Sequence, residues 1–76
     1  MQQLELRLNG EYVELNQLLK LTGICDSGGA GKALVASGVV KVDGKVELRK
    51  TCKIRAGQRV TVAGVQIRVL AADADA

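Results

Sequence analysis

Apolar residues recur at helical spacing in the first half of the chain and alternate with polar residues in the second half. In VELNQLLKLTG, Leu15, Leu18 and Leu19 stand at positions i, i+3 and i+4, which predicts one face of a short helix that ends at Gly23. Ahead of this helix, the alternating stretch Leu4–Leu8 predicts a short, half-buried strand. The chain therefore combines helices with strands.

A second helix is predicted over GGAGKALVAS, after an Asp26-Ser27 cap and before a stop at Gly38. Its three glycines make a poor helix, because each costs about 0.5–1 kcal/mol relative to alanine. We expect Ala30 and Leu34 to face the first helix. The glycines could allow the two helices to pack closely, or they could expose backbone N–H groups to an anion, and the sequence leaves both interpretations open.

The first hairpin turns at Asp43-Gly44 and carries four apolar residues, Val40, Val42, Val46 and Leu48. A two-residue loop would mix apolar and charged side chains on both faces. A loop one residue longer, with Gly44 as a bulge, would pair Lys41 with Lys45 and Val40 with Val46. This register gives one apolar face and one basic face, so the sequence predicts the bulged turn.

The second hairpin, RVTVAGVQIRV, needs no bulge. A two-residue loop at Ala63-Gly64 sets Val60 against Ile67 on the apolar face. The same register places Arg59 beside Arg68 on the polar face.

Together these elements predict an α+β fold, in which two short helices pack on a small curved antiparallel sheet made of hairpins. We expect the first strand to pair near the last one. The 76 residues suffice for one domain; we expect it to span residues 1–70, with a disordered tail over residues 71–76. No run of about 18 apolar residues is present and no signal segment is visible, so we expect a cytoplasmic monomer that does not bind membranes.

The composition offers few residues that could act in catalysis or bind a metal ion. The chain has no histidine, and Cys25 and Cys52 form no Cys-x-x-Cys pair, so we expect two reduced thiols and no structural zinc. GGAGKA fails as a phosphate loop, because Asp26 and Ala33 stand where the motif requires glycine and a hydroxyl residue. We expect neither an enzyme nor a bound cofactor.

Positive charge is the strongest functional signal. The formal charge is +3, yet the stretch from residue 41 to residue 59 carries seven cations against Asp43 and Glu47. A charged, solvated face that aids solubility would explain some of them. So tight a cluster with few acids instead favours a nucleic-acid backbone. Single-strand binders stack bases on several aromatic rings, whereas Tyr12 is the only aromatic residue here, so we expect structured RNA.

The order of VELNQLLK, SGGAGKALVASGVVKVDGKVELRKTCKI and AGQRVTV resembles the alpha-L RNA-binding domain, also called the S4 domain, over about residues 12–62. The short chain looks most like the stand-alone YbcJ-like members of that family. The family places RNA on the second helix and the first hairpin. The RNA-binding residues that the resemblance implies are Lys32, Lys41, Lys45, Arg49, Lys50, Lys53 and Arg55. Many members carry arginine where this chain has Gly28, so we expect the hairpin to contribute more of the RNA contact than the second helix.

The predicted function is therefore binding to the phosphate backbone of structured RNA, which could be ribosomal, transfer or small RNA. Such a protein would act in RNA processing, ribosome assembly or translation, with ribosome-associated proteins as further partners. The alternative is a protein-interaction module that docks on an acidic partner.

Overall fold

The structure, a computed structural model, describes residues 2–72. Its elements in chain order are β1 Gln2–Arg7, β2 Tyr12–Glu14, α1 Leu15–Leu21, α2 Gly28–Ala36, β3 Lys41–Val42, β4 Lys45–Val46, β5 Lys53–Arg55, β6 Arg59–Val62 and β7 Val65–Leu70. The predicted disordered tail lies outside the described residues from position 73 onward. No helix within residues 2–72 is long and apolar enough to cross a membrane.

The strands form a five-stranded sheet in the order β1-β7-β6-β3-β4 and a separate two-stranded sheet of β2 and β5. The predicted α+β class is confirmed, and β1 lies beside β7 as expected. This pair is parallel, with Leu4 opposite Ile67, whereas the other neighbouring strands are antiparallel. The sheet is therefore mixed, because no short turn joins β1 to β7 and fixes their relative direction.

The core lies between the two helices and one face of the five-stranded sheet. Leu15, Leu18 and Leu19 are fully buried, as the helical spacing predicts. Helix α1 ends as predicted at Gly23, whose φ of 80° turns the chain so that the Ile24 N–H donates to the Leu19 carbonyl oxygen at 3.1 Å. The end of α1 is thus fixed by its own backbone.

The second hairpin has the predicted register. Val60 lies opposite Ile67, and both are fully buried. Arg59 lies opposite Arg68, and both are exposed. Alternation therefore gives β6 and β7 one face toward the core and one toward solvent.

Helix α2 is capped by Ser27, whose hydroxyl accepts the Ala30 N–H at 3.1 Å. The buried residues of α2 are Gly31 and Val35, so the predicted contact through Ala30 is wrong: Ala30 is exposed and Leu34 is half-buried. A Cβ at Gly31 would lie 2.9 Å from the carbonyl oxygen of Asn16 on α1. This contact confirms the close-packing interpretation for Gly31, whereas Gly28 and Gly29 make no such approach, and anion contact stays a prediction.

The bulged turn predicted for the first hairpin is wrong. The loop has two residues, Asp43 and Gly44, with φ of 52° and 84°, and it pairs Lys41 with Val46 and Val42 with Lys45. The reason lies in the neighbouring strand β6. The Asp43 N–H donates to the Arg59 carbonyl oxygen at 2.8 Å, and the Asp43 carboxylate accepts the Arg59 N–H at 3.0 Å. These bonds hold Asp43 in the left-handed conformation that aspartate tolerates.

Candidate nucleic-acid interface

The seven predicted RNA-binding residues are all exposed. Lys32 lies on α2, Lys41 on β3, Lys45 on β4, Arg49 and Lys50 in the connection after β4, and Lys53 and Arg55 on β5. Their side chains are thus free to meet a ligand, and the question is which of them share a surface.

Asn16, at the start of α1, joins two of the segments that carry these cations. It is only 3% exposed. Its backbone N–H and its side-chain Nδ2 both donate to the Lys50 carbonyl oxygen, at 3.0 and 2.6 Å. Its own carbonyl oxygen is the atom against which Gly31 packs, one residue before Lys32. Sequence reasoning missed Asn16, whose only signal is an amide between the apolar positions of a helix.

The strand pair β2–β5 fixes two more cations. Ile54 is fully buried, so its neighbours Lys53 and Arg55 point away from the core on one side. Arg55 lies opposite Tyr12 in the register. The Leu15 N–H donates to the Cys52 carbonyl oxygen at 2.9 Å, which ties the start of β5 to α1.

We use the name anchored cations for the four residues whose backbones are held in this way around the N-terminal end of α1: Lys32, Lys50, Lys53 and Arg55. Within residues 2–72, no carboxylate forms an ion pair with any of these four or with Lys41 and Lys45. Their charges are therefore available to an external anion.

Arg49 differs from the anchored cations, because Glu47 already balances its charge. The Arg49 Nε and Nη2 atoms lie 3.0 and 3.2 Å from the Glu47 carboxylate, and the Arg49 backbone N–H donates to the same group at 3.0 Å. These hydrogen bonds lower the pKa of Glu47 to about 2. Arg49 can offer less net charge to a phosphate than a lysine with no acidic neighbour.

The first hairpin does not present the single basic face that the sequence predicted. Since cross-strand partners share a face, Lys41 lies with Val46 on the outer side of the sheet, and Lys45 lies with Val42 on the core side. Lys45 is exposed at the rim of that side, where the helices pack. Lys41 and Lys45 therefore point to opposite sides of the hairpin.

Two apolar residues that were predicted to face the core are exposed instead. Val46 is 53% exposed and Leu48 is 61% exposed. Val39 is also exposed, and it lies two residues before Lys41 on the same outer side. At this end, the outer face of the sheet thus carries exposed apolar side chains beside Lys41.

Reactive groups are scarce around the cations. Both cysteines are free thiols and half-buried, as expected. Burial, together with a hydrogen bond to Glu47, raises the pKa of the Cys52 thiol, so it stays protonated at neutral pH. The described part of the chain holds no cluster of three or more residues that could bind a metal ion. The arrangement offers charge and hydrogen bonds rather than a nucleophile.

Comparison with known proteins identifies relatives of this chain. A family model described as the S4 domain matches residues 6–70. YbcJ of Escherichia coli (strain K12) is 55% identical over 60 residues, which cover 79% of this chain and 86% of that protein. YbcJ of Shigella flexneri matches with the same identity and the same coverage.

Two solved structures share the fold. The solution structure of YbcJ from E. coli, described as revealing an alpha-L motif involved in RNA binding, matches with a TM-score of 0.65 and 48% identity. The match covers 92% of this chain and 87% of that chain. The 30S ribosomal protein S4e from Thermoplasma acidophilum matches with a TM-score of 0.57 and 24% identity, over 76% of this chain and 31% of that chain. At that identity, the second match shows the fold alone, and the first confirms the predicted alpha-L arrangement.

Proposed function

Because this chain belongs to the S4 domain family, we propose that it binds the phosphate backbone of structured RNA through the anchored cations. The description of the E. coli relative names RNA binding. The observation that carries the proposal is that Lys32, Lys50, Lys53 and Arg55 are exposed, are held around one end of α1, and form no ion pair with a carboxylate within residues 2–72.

Each predicted residue has a role in this proposal. The anchored cations make the principal phosphate contacts. Lys45 joins them from the rim of the first hairpin, on the side of the sheet that carries the helices. Arg49 contributes less because Glu47 competes for its guanidinium, and Lys41 contributes less because it points to the outer side.

Recognition of this kind depends on where the cations are fixed. Phosphate contacts position a protein on RNA without reading the sequence, and double-stranded RNA is recognised mostly by its shape and backbone. We therefore expect binding to folded RNA with little preference for individual bases in the helical parts. Candidate ligands are ribosomal, transfer and small RNAs, and crosslinking in cells followed by RNA sequencing would identify which is bound.

The test is a double charge reversal with a matched control. Lys50→Glu combined with Lys53→Glu should abolish binding to a folded transfer RNA, because it replaces two phosphate contacts with repulsion. The control combines Lys20→Glu with Arg59→Glu, which gives the same change in net charge at two exposed positions outside the predicted RNA-binding residues. Fluorescence anisotropy measures affinity, and circular dichroism confirms that both variants are folded.

The control decides whether the site or only the net charge matters. We expect it to retain most of the wild-type affinity. Equal losses in the two variants would show that the overall charge drives binding. Undiminished binding by the Lys50/Lys53 variant would show that the interface lies elsewhere.

A second candidate function rests on the outer sheet face. Val39 and Val46 are exposed there, on the same side as Lys41, and Leu48 is exposed two residues after Val46. This combination suits an acidic protein segment that carries apolar side chains. Competition separates the two functions, because excess folded RNA displaces a ligand from an RNA site but leaves a protein on the outer face.

A further inference from the structure

Tyr12 is the only aromatic residue of the chain, and it is not used in the core. It lies at the start of β2 and is 42% exposed. Its neighbour Val13 packs against the core instead. In a protein with so little aromatic surface to bury, an exposed ring raises the question of what it contacts.

Two anchored cations lie against this ring. The Lys53 Nζ atom is 5.0 Å from the ring centroid, and the Arg55 Cζ atom is 5.8 Å from it. Both distances fall within the range of cation–π attraction. The strand register produces this arrangement, because Arg55 is the direct partner of Tyr12 and Lys53 lies two residues before Arg55 on the same side of the ribbon.

We propose that Tyr12, Lys53 and Arg55 form a site for one unpaired nucleotide of a structured RNA. An exposed ring offers a flat surface on which any base can stack. The two flexible cations beside it can contact the phosphates on either side of that base. Bases within a helix are stacked and paired, so the nucleotide must be bulged, looped out or at the end of a helix.

This inference rests on the proposed function and adds a base contact to it. One ring provides one stacking position, which agrees with a protein that binds folded RNA rather than long single strands. The anchored cations away from Tyr12, Lys32 and Lys50, would hold the neighbouring helical backbone. The site would thus favour RNA in which an unpaired nucleotide adjoins a helix.

Intrinsic fluorescence tests the stacking directly, because Tyr12 is the only fluorescent side chain in a protein without tryptophan. The probes are three short RNA stem-loops that differ at one position: a bulged adenosine, an abasic bulge and no bulge. We expect the bulged adenosine to quench Tyr12 fluorescence, and the other two RNAs to quench it far less.

Variants at position 12 give an independent readout. Tyr12→Leu should weaken binding to the adenosine-bulged RNA about 10-fold, and should leave binding to the unbulged RNA nearly unchanged. Tyr12→Phe keeps the ring and should retain the wild-type affinity. Circular dichroism confirms that both variants are folded.

The outcomes distinguish this inference from the proposed function. Equal binding and equal quenching by all three RNAs, with affinity still lost in the Lys50/Lys53 variant, would overturn the nucleotide site and leave the phosphate interface standing. The nucleotide site would also be overturned if Tyr12→Leu weakened all three complexes equally, since the ring would then only orient the cations. Failure of the wild-type protein to bind any of the RNAs would overturn both.

Discussion

At the scale of single residues, the neighbours of a cation decide whether its charge reaches a ligand. Arg49 and Lys50 are adjacent in sequence and both exposed. Arg49 is paired with Glu47 at 3.0 Å, whereas the Lys50 backbone is held by the buried Asn16 and its side chain has no acidic partner within residues 2–72. A count of positive residues in the sequence treats Arg49 and Lys50 as equal, whereas the structure shows that only the charge of Arg49 is balanced by a carboxylate.

The Glu47–Arg49 pair leads to a titration that can be measured. In the folded protein, the pKa of Glu47 is about 2 because Arg49 donates hydrogen bonds to its carboxylate. The ordinary pKa of glutamate is about 4.3. Since the pKa is lower in the folded state, the pair stabilises the fold above the ordinary pKa, and this contribution is lost as the pH falls toward 2.

Carbon-13 NMR of the side-chain carboxyl follows this titration. Arg49→Gln should raise the midpoint of Glu47 from about 2 toward the ordinary value of about 4.3. Lys50→Gln is the matched control: it removes an adjacent positive charge that does not contact Glu47, and should shift the midpoint little. If both variants shift it equally, the general positive field, rather than the ion pair, holds the pKa down.

At the scale of the elements, sequence patterns correctly predicted the features that depend on interactions between residues close together in the chain. The helical face of α1, the Ser27 cap and the register of the second hairpin follow from spacing, capping and turn chemistry. The parallel direction of β1 did not, because it depends on a strand 58 or more positions away. The turn at Asp43 also escaped prediction, because its conformation is held by β6 rather than by the hairpin itself.

The contact between the two helices gives a prediction about stability. Gly31→Ala places a Cβ 2.9 Å from a backbone oxygen of α1, and such overpacking costs about 1–3 kcal/mol. The better helix propensity of alanine recovers up to about 1 kcal/mol of this. We therefore expect a net loss in the free energy of unfolding, measured by chemical denaturation.

Gly29 provides the control within the same helix. A Cβ there would meet only the Ser27 hydroxyl oxygen, at 3.9 Å. Gly29→Ala should thus be neutral or stabilise the protein by about 0.4–1 kcal/mol. A stabilising effect of Gly31→Ala would mean that the helices are further apart than the structure shows.

At the scale of the whole molecule, the charged residues divide between two surfaces. The sequence predicted one basic side formed by the second helix and the first hairpin, and the β3–β4 register separates Lys41 from Lys45. Helix α1 brings the remaining cations together. Leu15 and Asn16 at its start donate hydrogen bonds to the carbonyl oxygens of Cys52 and Lys50, which lie more than 30 positions further along the chain. The sequence supplied the identity of these cations, but only the tertiary contacts bring them together.

The central claim is that the anchored cations form the surface that meets RNA. Amide NMR spectra of the labelled protein, titrated with a folded transfer RNA, test it most directly because every residue reports separately. We expect the largest shifts at Lys32, Lys50, Lys53 and Arg55, and little change at Lys41, Arg59 and Arg68 on the outer sheet face. The largest shifts on the outer face, or shifts spread evenly over both faces, would contradict the account.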